Sequence, residues 1–133
     1  MKNNTKPEQV ALMFNDCINN KKLKAIGNLM TEDHQFIDRD GNVHQPKSFM
    51  IEGWKQFFET YPLYENTFVH IQSEKNKVFI TGYAFWNNEK PHDAVIWVAT
   101  VKNNLVAVWQ IFEDNEMNRK ELGILHRQGS NTV

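Results

Sequence analysis

Apolar residues recur at helical spacing in three segments of the first half of the chain. Such a stripe lets a helix bury one face against a core. Asparagines at positions 19 and 20 interrupt the first segment, and Pro62 ends the third because proline cannot continue a helix. We predict two helices before residue 31 and a third from Ser48 to Tyr61. Their apolar faces are formed by Val10, Phe14, Cys17 and Ile18; by Leu23, Ile26, Leu29 and Met30; and by Met50, Trp54, Phe57 and Tyr61.

The second half of the chain has the composition of β-strands. Val, Ile, Phe and Trp are concentrated in four segments, and short polar connectors separate them. One connector is the pair Asn103-Asn104, and asparagine tolerates the positive φ that a two-residue hairpin turn needs. A shorter strand, His34 to Asp38, precedes the turn Asp40-Gly41. The four predicted strands of the second half are Asn66 to Ser73, Lys77 to Trp86, Asp93 to Val101 and Leu105 to Glu113.

Helices followed by a run of strands predict an α+β domain. The chain has 133 residues, which is the usual size of one domain with its own core. We assign residues 1–115 to this domain and residues 116–133 to a C-terminal tail. The apolar pattern fades after Asn115, and we expect Gln128 to Val133 to be disordered.

The charge balance argues against several classes of partner. The formal net charge is -1, and no run of basic residues is longer than Lys21-Lys22. Nucleic-acid binders need a basic face, so we expect no nucleic acid. No apolar segment approaches the length of a membrane span, and the N-terminus does not resemble a signal peptide. We therefore expect a cytoplasmic protein without a membrane partner.

The residues from Leu23 to Asp38 resemble a motif of the NTF2-like superfamily. The segment reads LKAIGNLMTEDHQFID. The similarity is to the SnoaL-like and ketosteroid-isomerase-like branch, in which a short helix precedes an acidic pair and then a strand with an aspartate. The resemblance covers about residues 8–114. It implies a cone in which three N-terminal helices pack in a strongly curved antiparallel sheet around one internal pocket.

The resemblance also implies a set of pocket residues. The general-base aspartate of the isomerases matches Asp38, and strand alternation places His34 and Phe36 on the same face. Burial in an apolar pocket would raise the pKa of Asp38 and suit it to proton transfer, with His34 as a second acid or base. The ligand-binding residues implied are Phe14, Phe36, Trp54, Trp97, Gln110 and Phe112.

Two positions depart from the ketosteroid isomerases. The tyrosine that holds the substrate oxyanion matches Phe14, which donates no hydrogen bond, and the protonated acid matches Trp97, which offers one N–H. Ketosteroid isomerase is itself a worked example of pKa tuning in general accounts of catalysis. Since one oxyanion donor is typically worth about 10²–10³ in rate, these changes argue against steroid isomerase activity.

Each candidate also has a structural interpretation. Asp38 could cap the turn Asp40-Gly41, and His34 could be a histidine satisfied by a neighbour. Trp54 could simply fill the core, and Cys17, the only cysteine, could be inert in the first helix. The histidines show no metal-ligand spacing, so we expect no metal.

Two functions remain open at the level of sequence. The first is a cofactor-independent enzyme of the isomerase, cyclase or dehydratase type that moves a proton on a small, largely apolar or aromatic ligand through Asp38. The second is a domain of the same fold that binds a small molecule or another protein without catalysis. Large apolar residues on both faces of the last strand, such as Val108 and Trp109, suggest a homodimer.

Overall fold

The computed structural model describes residues 6–86 and 93–124. Among these residues, no helix is long and apolar enough to cross a membrane. The described residues form four helices and six strands. Their bounds are α1 Pro7–Asn19, α2 Leu23–Asn28, β1 Met30–Ile37, β2 Val43–His44, α3 Lys47–Thr60, β3 Glu65–Glu74, β4 Lys77–Phe85, β5 Asp93–Lys102, β6 Leu105–Glu113 and α4 Glu116–Leu122.

The six strands form one mixed sheet in the order β2-β1-β6-β5-β4-β3. The consecutive strands from β3 to β6 are antiparallel, as the short connectors predict. The expectation of a fully antiparallel sheet is wrong at one place, because β1 pairs parallel to β6. A parallel pair needs a long crossover between its strands. Here α3 and four strands of the sheet lie between them in the chain.

The turns follow the local chemistry of their residues. Asn103 and Asn104 have φ values of 52° and 65°, which confirms the predicted two-residue hairpin between β5 and β6. A close backbone approach occurs at Gly82 of β4, where a Cβ atom would overlap the carbonyl oxygen of Thr67 in β3. The pairing of these two strands shifts register between Phe68 and His70. Glycine is therefore required where the two backbones crowd together.

The main core lies between the helices and the inner face of the sheet. α1 buries Val10, Ala11, Phe14 and Ile18 completely or nearly so, which confirms its predicted apolar face. α3 contributes Met50, Trp54 and Phe58 to the same cluster. The three predicted helices thus pack on one side of the sheet, although β1 and β2 precede α3 in the chain.

A second, smaller cluster covers part of the outer face of the sheet. Ile96 and Val98 of β5 pack there with Ile124, and Phe112 and Leu122 lie beside them. The segment that follows Asn115 is therefore not a plain tail. Asn115 caps α4 by accepting a hydrogen bond from the backbone N–H of Asn118, and the left-handed Gly123 ends it. The disorder predicted for Gln128 to Val133 concerns residues outside the described part of the chain.

Candidate functional site

A cavity of about 690 Å³ lies between α3 and the adjoining ends of β1, β2, β4, β5 and β6. Its walls are mainly apolar and aromatic, and its polar side chains come from the turn after β1, from β2 and from the start of β5. Apolar walls with a few polar groups are the usual composition of a small-molecule site. The lining includes Phe36, Asp38, Arg39, Asp40, His44, Phe49, Trp54, Phe57, Tyr61, Tyr64, Trp86, Asp93 and Ile111.

Asp38 and His44 form a carboxylate–imidazole pair in this cavity. Nε2 of His44 lies 2.9 Å from Oδ2 of Asp38. Both side chains are partly exposed, with relative exposures of 37% for His44 and 29% for Asp38. The turn between β1 and β2 creates the pair: it brings the chain back antiparallel, so that His44 lies opposite Phe36.

The other carboxylate oxygen of Asp38 belongs to the turn. Oδ1 accepts hydrogen bonds from the backbone N–H groups of Asp40 at 3.0 Å and Asn42 at 2.9 Å. Gly41 supplies the positive φ, 84°, that the turn requires. The capping alternative for Asp38 is therefore realised, and the same residue also lines the cavity.

The pKa of Asp38 differs from the expectation at the level of sequence. The hydrogen bond with His44 is the largest cause of a lowered pKa, and the turn amides act in the same direction, whereas burial opposes them. The predicted rise in pKa is thus wrong, because Asp38 has three hydrogen-bond donors around it rather than an apolar enclosure. The carboxylate remains ionised at neutral pH.

Aromatic rings hold the imidazole of His44 in place. Phe49 stacks on it with a centroid distance of 6.4 Å and an interplanar angle of 4°, and Phe36 lies 5.9 Å away in a tilted arrangement. Phe36 in turn meets Trp54 edge-on at 6.0 Å. The imidazole is therefore part of a continuous aromatic wall.

The start of β5 forms the other polar side of the cavity. Arg39 lies 3.4 Å from the carboxylate of Asp93, and each side chain is 38% exposed. The indole N–H of Trp86 donates to the same carboxylate at 2.9 Å. Asp93 thereby ties the turn after β1 to the end of β4.

Four aromatic side chains form a box beside this ion pair. Phe57, Tyr61, Tyr64 and Trp86 meet mostly edge to face, with centroid distances of 4.7 to 5.6 Å. Burial raises the pKa of Tyr64 well above its usual range, so its phenol stays protonated. The box gives the cavity a flat, weakly polar wall.

Only some of the residues predicted from sequence line the cavity. Asp38, Phe36 and Trp54 do. Phe14 and Trp97 are fully buried in the core instead. Phe14 packs on Trp109 at 4.8 Å, and Trp97 packs on Phe68 at 5.0 Å. Large rings therefore fill the region where the resemblance implies the oxyanion donors.

His34 is also a core residue. It has no exposure, its Nδ1 lies 2.7 Å from the carbonyl oxygen of Val106, and its ring packs near Phe14. Nε2 is buried without a partner in the described part of the chain. Desolvation lowers the pKa of His34 and keeps it neutral. His34 and Asp38 do not share the cavity, which corrects the predicted pairing of these two residues.

The inward orientation predicted for Gln110 and Phe112 is wrong. Trp97 lies opposite Ile111 in the antiparallel pair β5–β6, so Ile111 points inward and its neighbours point outward. Phe112 accordingly packs in the outer cluster. Both faces of β6 are apolar, and alternation alone could not decide which one is buried. A slip of one residue exchanges the two faces.

Sequence reasoning missed His44 and the aromatic box. His44 follows Asp38 by six residues across the turn Asp40-Gly41, and such a hairpin brings its two arms together. This spacing is the feature of the sequence that could have identified His44 as a neighbour of Asp38. Periodicity placed Phe57 and Tyr61 on one face of the third helix, but it does not indicate that these rings meet Tyr64 and Trp86. In the described residues there is no group of three or more His, Cys, Asp or Glu side chains arranged to hold a metal ion.

No protein-family model and no curated protein sequence matches this chain. Solved structures do match it, and they include proteins described as NTF2-like, SnoaL-like polyketide cyclases, a ketosteroid isomerase and an LEH-like epoxide hydrolase. The four kinds of protein named are each less than 25% identical to this chain, so the likeness concerns the fold. The chain has an α+β fold with a curved, mixed six-stranded sheet, consistent with NTF2-like proteins.

Three of these structures show the extent of the likeness. An NTF2-like protein of unknown function from Cytophaga hutchinsonii has a TM-score of 0.71 and 12% identity, over 92% of this chain and 99% of that chain. A protein described as a SnoaL-like polyketide cyclase from Shewanella putrefaciens has a TM-score of 0.73 and 14% identity, over 88% and 85%. An LEH-like epoxide hydrolase of M. tuberculosis has a TM-score of 0.71 and 11% identity, over 81% and 82%.

Proposed function

We propose that this protein takes a small, flat, largely apolar molecule into its cavity and transfers a proton there, in a reaction that depends on Asp38 and needs no cofactor. The reaction would be of the isomerase, cyclase or dehydratase type. The observation that carries the proposal is the position of one pair of side chains, the ionised carboxylate of Asp38 and the imidazole of His44. The pair lies in a cavity whose other walls are mostly apolar.

The size and shape of the cavity support this ligand class. Sites for small molecules commonly enclose about 300–1,000 Å³, and this cavity measures about 690 Å³. Its flat aromatic walls, from Trp54 to the box around Trp86, favour a planar ring system through stacking and burial of apolar surface. The structural relatives described as cyclases, an isomerase and an epoxide hydrolase support a fold used to process small molecules.

The polar groups support proton transfer over other chemistry. Serine and cysteine are missing from the cavity lining among the described residues, so nucleophilic catalysis through these groups has no basis there. The pair Asp38–His44 can take up a proton and keep its new charge balanced by the carboxylate. An apolar surround strengthens that electrostatic effect.

The experiment is the ring opening of 5-nitro-1,2-benzisoxazole, a flat neutral compound. Removal of its C3 proton breaks the N–O bond and releases a coloured phenolate. We expect saturable acceleration over buffer, and a loss of about 10²-fold or more in Asp38→Asn. The variant keeps the shape of the side chain and can still accept the turn hydrogen bonds.

Asp33→Asn is the matched control. Asp33 lies on β1 like Phe36, is exposed and accepts a hydrogen bond from Thr31. It does not line the cavity. Its substitution should leave the rate unchanged. Absence of acceleration by the unaltered protein, or equal rates in the two variants, would contradict the proposal.

A second candidate is a binding protein without catalysis. The observation that favours it is the burial of Phe14 and Trp97 in the core, because the two positions that match the oxyanion donors of the ketosteroid isomerases then lie outside the cavity lining. In this case 5-nitro-1,2-benzisoxazole would bind and quench the fluorescence of Trp54 and Trp86, and its ring would not open.

A further inference from the structure

Asp38 is poorly suited to accept a proton directly. Its Oδ1 accepts two backbone N–H hydrogen bonds within the turn, and its Oδ2 faces Nε2 of His44. Both oxygens are thus engaged, and protonation would break at least one of these contacts. The donors that hold the carboxylate also stabilise its charged form, which makes it a weak base.

One of the two ring nitrogens of His44 is available to accept a proton. Its Nε2 is held by Asp38, and no residue in the described ranges forms a hydrogen bond with its Nδ1. The imidazole lines the cavity and is held between Phe36 and Phe49. A carboxylate on one ring nitrogen fixes the tautomer that leaves a lone pair on the other. Asp38 therefore determines which nitrogen carries the hydrogen and which can act as a base.

We infer that His44 is the catalytic base of this cavity, acting through Nδ1, and that Asp38 is its positioning residue. The inference rests on the proposed function and identifies the group that accepts the proton. The sequence resemblance assigns this role to Asp38. The structure instead brings in a residue from the following strand, which no family motif marks.

The proton step balances without a further reactant. Nδ1 of His44 takes the C–H proton of the ligand and becomes part of an imidazolium, while Nε2–H donates to Asp38. The electron pair of the broken C–H bond stays on the ligand. In 5-nitro-1,2-benzisoxazole that pair forms the nitrile, and the electrons of the N–O bond leave on the phenolate oxygen. The imidazolium then returns its proton to solvent.

The test compares five forms of the whole chain in the ring opening of 5-nitro-1,2-benzisoxazole, with kcat and KM determined separately for each form. The forms are the unaltered protein, His44→Gln, His44→Ala, Asp38→Asn and, as control, His70→Gln. His70 is an exposed histidine on β3 outside the cavity. We expect His44→Gln to lose about 10²-fold or more in rate. We expect added imidazole to restore part of the activity of His44→Ala, and His70→Gln to match the unaltered protein.

Asp38→Asn distinguishes positioning from direct catalysis. If His44 is the base, this variant loses less activity than His44→Gln, and its loss lies in kcat, while KM stays close to that of the unaltered protein. Full activity in His44→Gln, or failure of imidazole to rescue His44→Ala, would overturn the inference. Asp38 would then be the base, or His44 would have a structural role. If the unaltered protein itself gives no acceleration, the proposed function fails instead.

Discussion

Nε2 of His44 lies 2.9 Å from Oδ2 of Asp38, across the turn that joins β1 to β2. This contact connects Asp38, which the sequence motif identifies, with His44, which no motif identifies. It lowers the pKa of Asp38, orients the imidazole and places both side chains in a mainly aromatic cavity. The pair is therefore the centre of the proposed chemistry, and several consequences can be measured independently of the reaction.

The charge around the cavity should select against anionic ligands. The charged lining residues in the described part of the chain are three aspartates and one arginine, namely Asp38, Asp40, Asp93 and Arg39. We expect 2-naphthol to bind at least about tenfold more tightly than 2-naphthoate of similar shape, because the carboxylate meets like charges. Fluorescence titration measures both affinities. The difference should shrink as salt is added, and equal affinities at low salt would contradict this account.

Gly82 should tolerate no side chain. A Cβ atom there overlaps the carbonyl of Thr67, so Gly82→Ala should lower the free energy of unfolding by about 3 kcal/mol. Gly53 in α3 is the contrasting position, since its nearest non-neighbouring atom is Cε of Met50 at 3.9 Å. Gly53→Ala should gain up to about 1 kcal/mol from helix propensity. Urea denaturation gives both values. Similar effects of the two substitutions would show that the backbones at Gly82 and Thr67 are not as close as described.

His34 should make the protein less stable in mild acid. Burial lowers its pKa in the folded state below the ordinary 6.5, so the unfolded chain takes up the proton first. Its contribution to stability is present above about pH 6.5 and is lost as pH falls from there towards the folded pKa, at a slope of at most about 1.4 kcal/mol per pH unit. Urea denaturation from pH 7.5 to 5 should show a smaller decline in His34→Gln. His70→Gln should retain the decline of the unaltered protein.

Ile124 should anchor the segment after α4 to the outer face of the sheet. It is 8% exposed and packs with Ile96 and Val98. Replacing it by alanine should cost about 2 kcal/mol, since a buried apolar side chain is lost. Met117 on α4 is 68% exposed, and Met117→Ala should change little. If thermal unfolding shows equal effects for the two variants, the segment does not pack as described.

The expected homodimer remains a prediction. The expectation of a dimer is based on apolar residues on both faces of β6, which cannot all face one pocket. One of them, Phe112, packs with Leu122 and Ile124 of the same chain. The outer face still exposes Val69 on β3, at 65%. Light scattering at micromolar concentration should give twice the mass of one chain. A monomer would indicate that the chain's own C-terminal segment provides the cover that the dimer was expected to provide.

Periodicity predicted most of the fold because the burial pattern is regular in most elements. The helix with Val10 and Phe14, the hairpin at Asn103 and the inward position of Trp97 follow from local spacing. β2 has two residues, which is too short for any pattern, and α4 buries none of its own residues. The parallel pairing of β1 with β6 depends on the path of the whole chain, which alternation does not encode.

The site was less predictable because it depends on packing volume. Phe14, Trp97 and Trp109 fill one part of the interior, and the cavity opens elsewhere, beside Trp54 and Trp86. Sequence spacing indicates which side chains share a face of an element, and it says nothing about where large rings leave a gap. The motif identifies Asp38, whereas the position of His44 beside it depends on the path of the turn between β1 and β2.

The most direct test of the central claim uses the indole N–H signals of the four tryptophans. Trp54 and Trp86 line the cavity, whereas Trp97 and Trp109 lie in the core. Titration of the isotope-labelled protein with 2-naphthol, followed by ¹H–¹⁵N correlation spectra, should shift the signals of Trp54 and Trp86 in a saturable way. The signals of Trp97 and Trp109 should stay in place. Saturable shifts confined to Trp97 and Trp109, or no shifts at any ligand concentration, would contradict the proposed ligand site.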